Sequence, residues 1–389
     1  MRIAVPKSPS ALVKPELLIW ARRSAHLDRA SASSRLRVSE ARLRSWEAGD
    51  LLPTVRQLRR LASIYKQSTA TFFLPAPPAV FEPPFRDFRC PPEGGRHPLT
   101  SDIALDSRLA LDRREILLEL TSGAGNDPVR FEFGATTRKN PEAVAGELRD
   151  FLGVTAARQA TWREPRTAFN AWRSLIESVG VLVFQSVQVD LSRMRGYSIW
   201  MDPFPIVAVN RKDAYNGRTF TLFHELVHLA LRASGICDLE EPPNGASERR
   251  KVEVLCNRVA AAALVPMEDL LSHPQVQAHD AMEWSDSDLR NLARRFGVSE
   301  EVVVRRLLEL DRTSPEFYSA KRGHFAARKS ARGKGFVRPS TDALSQAGKP
   351  FVRAVLAALH TDRITPNDAA DYLGIKLKHL NEIEEGAAA

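Results

Sequence analysis

Apolar residues fall at helical spacing along most of the chain, interrupted once by a stretch of short strand-like blocks. Near the start, Leu17, Leu18, Ala21 and Ala25 form one stripe behind Pro15, a residue suited to a first helical turn. A second short helix is expected over residues 29–36 and a third over 39–46, with Ser39 as its cap and Gly49 beyond its end. Thr54 and Gln57 have capping-box spacing and open a helix whose stripe is Val55, Leu58, Leu61, Ala62 and Tyr65. A last turn holds Phe72, Phe73 and Leu74. Prolines then crowd residues 75–98, too densely for a continuous helix. Phe81, Phe85 and Phe88 predict that this stretch packs on a domain. Helices follow over about 103–120, 141–152 and 167–179, then strands over 181–187, 197–201 and 206–209. Two further segments, around Phe220 to Leu231 and over 251–265, are apolar nearly all round and so predict buried helices; Pro266 stops the second. Residues 289–310 and 364–383 each have a helix-turn-helix rhythm and read as packing elements.

The expected fold is mainly α with a small β-sheet, an α+β chain. Its parts are an all-α N-terminal domain over 1–75, a Pro-rich linker over 76–100, a central domain over 101–285 and a helical C-terminal region over 286–389. In the central domain the small sheet should back the apolar helix and leave an edge for an extended peptide.

Composition narrows the class. A length of 389 residues fits two or three domains, and 43% hydrophobic content supports real cores. A net charge of +9 permits nucleic-acid contact without requiring it. The run from 321 to 349 is strongly basic and reads as a solvated loop that could touch a nucleic-acid backbone or an acidic partner. The three cysteines, Cys90, Cys237 and Cys256, form no C-x-x-C pair and point to a reduced, intracellular protein. No apolar signal core opens the chain and no run is long enough to span a bilayer, so a cytoplasmic location without a membrane partner is expected. There is no Gly-rich phosphate loop and no setting for a nucleophilic Ser or Cys; Asp202 and Asp213 read as turn residues.

The chemistry concentrates in His224-Glu225-Leu226-Val227-His228. Two histidines four residues apart lie on one helix face, so both rings can reach one ion, and neutral imidazole suits Zn²⁺. Glu225 sits about 100° round the helix, where it can take a proton from water. Burying two imidazoles and a carboxylate is costly without partners, and a metal supplies one. Core histidines beside a stray glutamate are the plain alternative. A catalytic zinc needs a third protein ligand. The candidates are Cys237, Glu240, Glu241, Glu248, Glu253, Cys256 and His273. Glu253 is the choice, because it stands alone on a buried face with Cys256, Asn257, Ala260 and Leu264. Its alternative is an ion pair with Arg249, Arg250 or Arg258, and Asn257, one turn on, could support a ligand. Tyr197, Tyr215, His273 and His279 are candidates for a second electrophile.

These residues resemble the ImmA/IrrE family of metallo-endopeptidases. The likeness runs over about residues 80–310: Arg195-Gly196-Tyr197-Ser198-Ile199, Pro205 to Asn210, Arg218 to Leu222 leading into the H-E-x-x-H, Glu253-Val254-Leu255-Cys256-Asn257, and Leu264-Val265-Pro266. Asp87-Phe88-Arg89 fits the fused form of the family. The family usually has Ala where Cys256 stands and often Phe where Val259 stands, changes that leave the ligands intact. The resemblance implies a zincin-like domain of gluzincin type, with His224, His228 and Glu253 as metal ligands and Glu225 as general base. It also implies a protein substrate, a helix-turn-helix repressor or antitoxin whose cleavage switches on stress or mobile-element genes. The ion would be Zn²⁺, with Mn²⁺ the other possibility.

The N-terminal domain is similar to the Xre/Cro-CI helix-turn-helix family, from Trp20-Ala21-Arg22 through Trp46-Glu47-Ala48-Gly49 and Pro53-Thr54 to Phe72-Phe73-Leu74. That likeness implies a recognition helix over 39–46 whose outward Glu40, Ala41, Arg42 and Ser45, with Arg44 at the rim, face DNA bases. Arg22, Arg23, Arg35 and Arg37 are the expected phosphate contacts. The set is poor in Asn and Gln, so the alternative is a module that binds protein, for instance the helix-turn-helix of its own substrate. Two rivals to the peptidase remain: a DNA-binding regulator with a structural or sensory metal, and an antitoxin-like interaction protein.

Overall fold

A computed structural model of the chain describes residues 9–79, 100–122, 127–232, 245–327 and 339–388. Most of the Pro-rich linker, with Phe81, Phe85, Phe88 and Cys90, lies outside the described residues, as do Cys237, Glu240 and Glu241. The helical backbone at Glu248 is described, its side chain is not. The fold is mainly helical with one three-stranded sheet, the α+β class that the hydrophobic pattern predicts. Contacts divide it into two compact units; of the described residues, 9–79 and 100–109 form the first, and those from 110 onward form the second.

The first unit contains helices α1 (Pro15–Ser24), α2 (Arg29–Leu36), α3 (Glu40–Ala48) and α4 (Val55–Tyr65), then a 3-10 turn at Thr69–Phe73. Each start after the first is fixed by a side chain that accepts from an otherwise orphaned backbone N–H: Asp28 from Ser31, Ser39 from Arg42, Thr54 from Gln57. Gly49 ends α3 with φ +86°, where a Cβ would be strained. Leu18, Ala21, Leu36, Leu43, Trp46, Leu58, Leu61, Tyr65 and Phe72 fill the core. A charged pair is buried beside them: Glu47 accepts from Arg22 Nε at 2.5 Å, and also from Nε of the exposed Arg29 at 2.8 Å. Burial alone would raise the Glu47 pKa, but the two guanidiniums hold it below the usual value. Arg22, expected to meet phosphates, is therefore a buried structural residue; Arg23, Arg35 and Arg37 are exposed.

Helix α5 (Ser101–Thr121) contributes its residues up to Leu109 to the first unit and the rest to the second. The second unit continues with α6 (Pro141–Phe151), α7 (Ala156–Ala160), α8 (Pro165–Ser178), β1 (Leu182–Ser186), β2 (Gly196–Ile199), β3 (Ile206–Asn210), α9 (Tyr215–Ala230) and α10 (Gly245–Leu264). The order in the sheet is β1-β3-β2, with β1 parallel and β2 antiparallel to β3. Strand β2 starts one residue before the predicted 197 and stops at Ile199, ahead of the Met201–Pro205 turn. Val207 and Val209 of β3 share one core with Phe223, Leu226 and Val227 of α9 and with Cys256, Val259 and Ala260 of α10.

Three side chains from three elements close the end of α10, taking the carbonyls that a helix terminus leaves unpaired. Arg149 donates to Ala263 O at 2.7 Å, Gln159 to Leu264 O at 2.8 Å and Arg306 to Val265 O at 3.0 Å. The two cations also suit the negative end of the helix dipole. The helix is thereby held in axial position, which matters because it carries Glu253 and Asn257.

Beyond α10 come α11 (Met267–Leu271), α12 (Pro274–Gln277), α13 (Asp286–Phe296), α14 (Glu300–Glu309), α15 (Pro315–Ala327), α16 (Pro339–Ala347), α17 (Lys349–His360), α18 (Pro366–Leu373) and α19 (Leu380–Ala388). The predicted loop over 321–349 is thus helical at both ends, with residues 328–338 outside the description. Helix α13 ends at the left-handed Gly297, Ser299 caps α14, and Val303, Val304 and Leu307 bury the pair in the core as a packing element. Helix α16 closes the outer side of β1: Ser345 O accepts from Arg173 at 2.8 Å and from Gln185 at 3.0 Å. The other edge of the sheet is β2.

Candidate metal centre

Helix α9 runs along β2 and β3, and the closeness of the approach depends on Gly196. A Cβ built there would stand 2.5 Å from Thr221 Cγ2, 2.7 Å from Ala208 O and 3.5 Å from Glu225 Cγ. Side chains alternate along a strand. Gly196 and Ser198 therefore face α9, while Tyr197 and Ile199 face the opposite side. Ser198 Oγ donates to Glu225 Oε2 at 3.0 Å, and Glu225 is buried.

His224 and His228 stand one turn apart and turn toward α10. Their Nε2 atoms lie 3.1 Å from each other. Glu253 meets both: Oε2 is 3.2 Å from His224 Nε2 and Oε1 is 3.2 Å from His228 Nε2. His224 Nδ1 lies 3.2 Å from Asn257 Oδ1. An amide oxygen only accepts, so Nδ1 carries the proton and Nε2 keeps its lone pair for the cluster. Burial works to lower the His228 pKa, yet neighbouring Cys256, Glu253 and Glu225 hold it well above the usual imidazole value. Burial works to raise the Glu253 pKa, and the adjoining His224 and His228 hold it far below the usual carboxylate range.

The donors of these three residues lie within 4.8 Å of one another, the one such His/Cys/Asp/Glu group among the described residues. Two imidazole nitrogens and a carboxylate are the donor types of a catalytic zinc. Ligands about 2.0–2.2 Å from a tetrahedral ion stand roughly 3.3–3.6 Å apart. The observed separations of 3.1–3.2 Å, each ring nearest a different oxygen of Glu253, fall slightly below that spacing, so a small outward shift of the donors admits a divalent ion.

Residues 176–308 match the family model of the IrrE N-terminal-like domain, Peptidase_M78. The matched stretch starts in α8 and takes in the sheet, α9, α10 and most of α14, so it contains His224, Glu225, His228, Glu253, Asn257 and Ser198. No curated protein matches the chain.

The remaining candidates stand elsewhere. Cys256 is fully buried against His228 and outside the three-donor group, and burial pushes its thiol pKa up. His273 caps α12 by accepting from Gln275 N, and His279 stacks on Trp284 with centroids 3.8 Å apart. Tyr215 sits under Arg218 at the start of α9, 4.3 Å from ring centroid to guanidinium, and Tyr197 is fully buried on the sheet face away from Ser198. Neither His273 nor His279 joins the three-donor group. Asp213, just before α9, accepts from the next backbone N–H, that of Ala214, a turn role as predicted.

Sequence reasoning missed Gly196 and Ser198 as contributors to the site. In the first unit, Arg42 and Arg44 are exposed on α3, Glu40 pairs with Arg44 at 3.6 Å, and Ser45 is half-buried. Among the described residues no helix is long and apolar enough to cross a membrane.

Proposed function

We propose that the chain is a zinc-dependent endopeptidase with a regulatory role, cleaving a helix-turn-helix repressor or antitoxin to derepress stress or mobile-element genes. The observation that carries this reading is the convergence of His224, His228 and Glu253 at 3.1–3.2 Å beside the buried carboxylate of Glu225. The match of residues 176–308 to a peptidase family model supports it independently. His224, His228 and Glu253 would hold the ion, Zn²⁺ by donor type, with Mn²⁺ the other candidate. Bound there, the ion supplies a Lewis acid that acidifies a water and polarises a carbonyl. Glu225 takes the proton of the attacking water and passes it to the leaving amine. The Ser198–Glu225 bond and the close packing of β2 on α9 keep that carboxylate at the sheet edge. A substrate in extended form can add to β2, the edge not closed by α16. Among the described residues three protein donors converge, the number that a catalytic ion takes.

A second reading rests on the exposed Arg42 and Arg44 of α3: a DNA-binding regulator whose metal is structural or sensory. One experiment separates the two. The zinc-loaded chain is co-expressed with helix-turn-helix repressors and the repressors are followed by mass spectrometry. Cleavage that disappears with a chelator and in Glu225→Gln supports the peptidase. Salt-dependent DNA binding with intact repressors supports the regulator.

A further inference from the structure

Ser198 reaches Glu225 from a different element, and nothing in the H-E-x-x-H spacing requires it to. We propose that Ser198 is a positioning residue for Glu225; the inference rests on the peptidase reading. Two observations point the same way. The hydroxyl donates to Oε2 at 3.0 Å, inside hydrogen-bond range. Gly196, two residues earlier on the same strand face, lets β2 approach α9 closely: a Cβ there would stand 2.5 Å from Thr221 Cγ2 and 2.7 Å from Ala208 O. That approach brings the Ser198 hydroxyl within reach of the carboxylate. A glutamate has three rotatable side-chain bonds, so a base without such a hold would spread over several rotamers. A hydroxyl is also both donor and acceptor. It donates to the carboxylate before proton transfer and can accept from the carboxylic acid after it, so the contact survives the step. Alanine removes both capacities; threonine keeps both and suits a strand.

The test compares wild type, Ser198→Ala and Ser198→Thr, each zinc-loaded, on a quenched-fluorescent peptide library. Hydrogen bonds to charged groups imply a fall in kcat of roughly ten- to hundredfold for Ser198→Ala. KM and zinc content should stay at wild-type values, and Ser198→Thr should recover kcat to within about threefold. A wild-type kcat in Ser198→Ala overturns the inference, and so does an equal loss in Ser198→Thr. A substrate-free arm uses thermal unfolding of Ser198→Ala, Glu225→Gln and the double variant. Non-additive shifts are expected for a real contact, and additive shifts overturn it. If the zinc-loaded wild type cleaves nothing, the peptidase reading fails and the positioning role with it, while the cycle still reports on the contact.

Discussion

Gly196→Ala perturbs the site without touching any residue that would bind the ion. The new Cβ would stand 2.5 Å from Thr221 Cγ2 and 2.7 Å from Ala208 O, whereas carbon contacts settle at about 3.5–4.0 Å. Thr221 is β-branched on a helix, so its rotamers are confined, and Ala208 O is backbone. The strand must therefore withdraw by about 1 Å. That carries the 3.0 Å bond between Ser198 and Glu225 out to about 4 Å, beyond hydrogen-bond range. A displacement of about 1 Å in catalytic geometry costs on the order of a hundredfold in rate. Overpacking of this kind costs about 1–3 kcal/mol, which lowers the unfolding midpoint by roughly 2–12 °C. Zinc content should hold at the wild-type level, because the three donors sit on α9 and α10. Peptide-library kinetics, differential scanning fluorimetry and elemental analysis read the three quantities. A variant with wild-type rate and midpoint would refute the reasoning, and zinc lost in step with activity would show that β2 shapes the donors instead.

Other consequences can be checked separately. Asn257→Ala frees His224 to rotate and should weaken zinc binding about 10–100-fold in a competitive chelator titration. Zinc uptake should release a proton and strengthen as pH rises, because Cys256, Glu253 and Glu225 overcome burial and keep His228 protonated above its usual 6.5; uptake without proton release in a weakly buffered titration would contradict this. In the metal-free chain the stability that proton brings is full below 6.5 and lost as pH rises through the higher folded-state value. Glu47→Gln strands the buried Arg22, while Arg29 stays in water, and should destabilise the first unit by about 3 kcal/mol. Since Glu47 is held below its usual 4.5, its contribution is present above that pH and lost as pH falls through the lower folded-state value, so acid should narrow the gap between variant and wild type in circular-dichroism melts.

How much the sequence disclosed depended on how local each cause was. Helix ends set by one side chain and one nearby N–H were legible, as at Ser39 and at Thr54 with Gln57. The pairing of His224 and His228 follows from helical geometry alone. Glu253 was legible for a different reason: an isolated carboxylate on an apolar helix face needs a partner, and the fold supplies two imidazoles. Ser198 was not legible, because its contact with Glu225 depends on the register of β2 against α9, which no local pattern encodes. Arg22 misled for a related reason. Its charge suggested a surface, but Glu47 from α3 and the carbonyl of Leu27 draw it inside. The basic run over 321–349 concealed helices at both ends, since charge density says little about backbone where apolar residues such as Phe325, Ala343 and Ala347 anchor the turns.

The proposed function requires Glu225 to work as a base beside an ion held by His224, His228 and Glu253. Its most direct test measures peptide cleavage and zinc content together in the wild type and in Glu225→Gln. Both should bind zinc equally, and the variant should lose about 10²–10⁴-fold in kcat. A zinc-loaded Glu225→Gln that cleaves as fast as the wild type would contradict it.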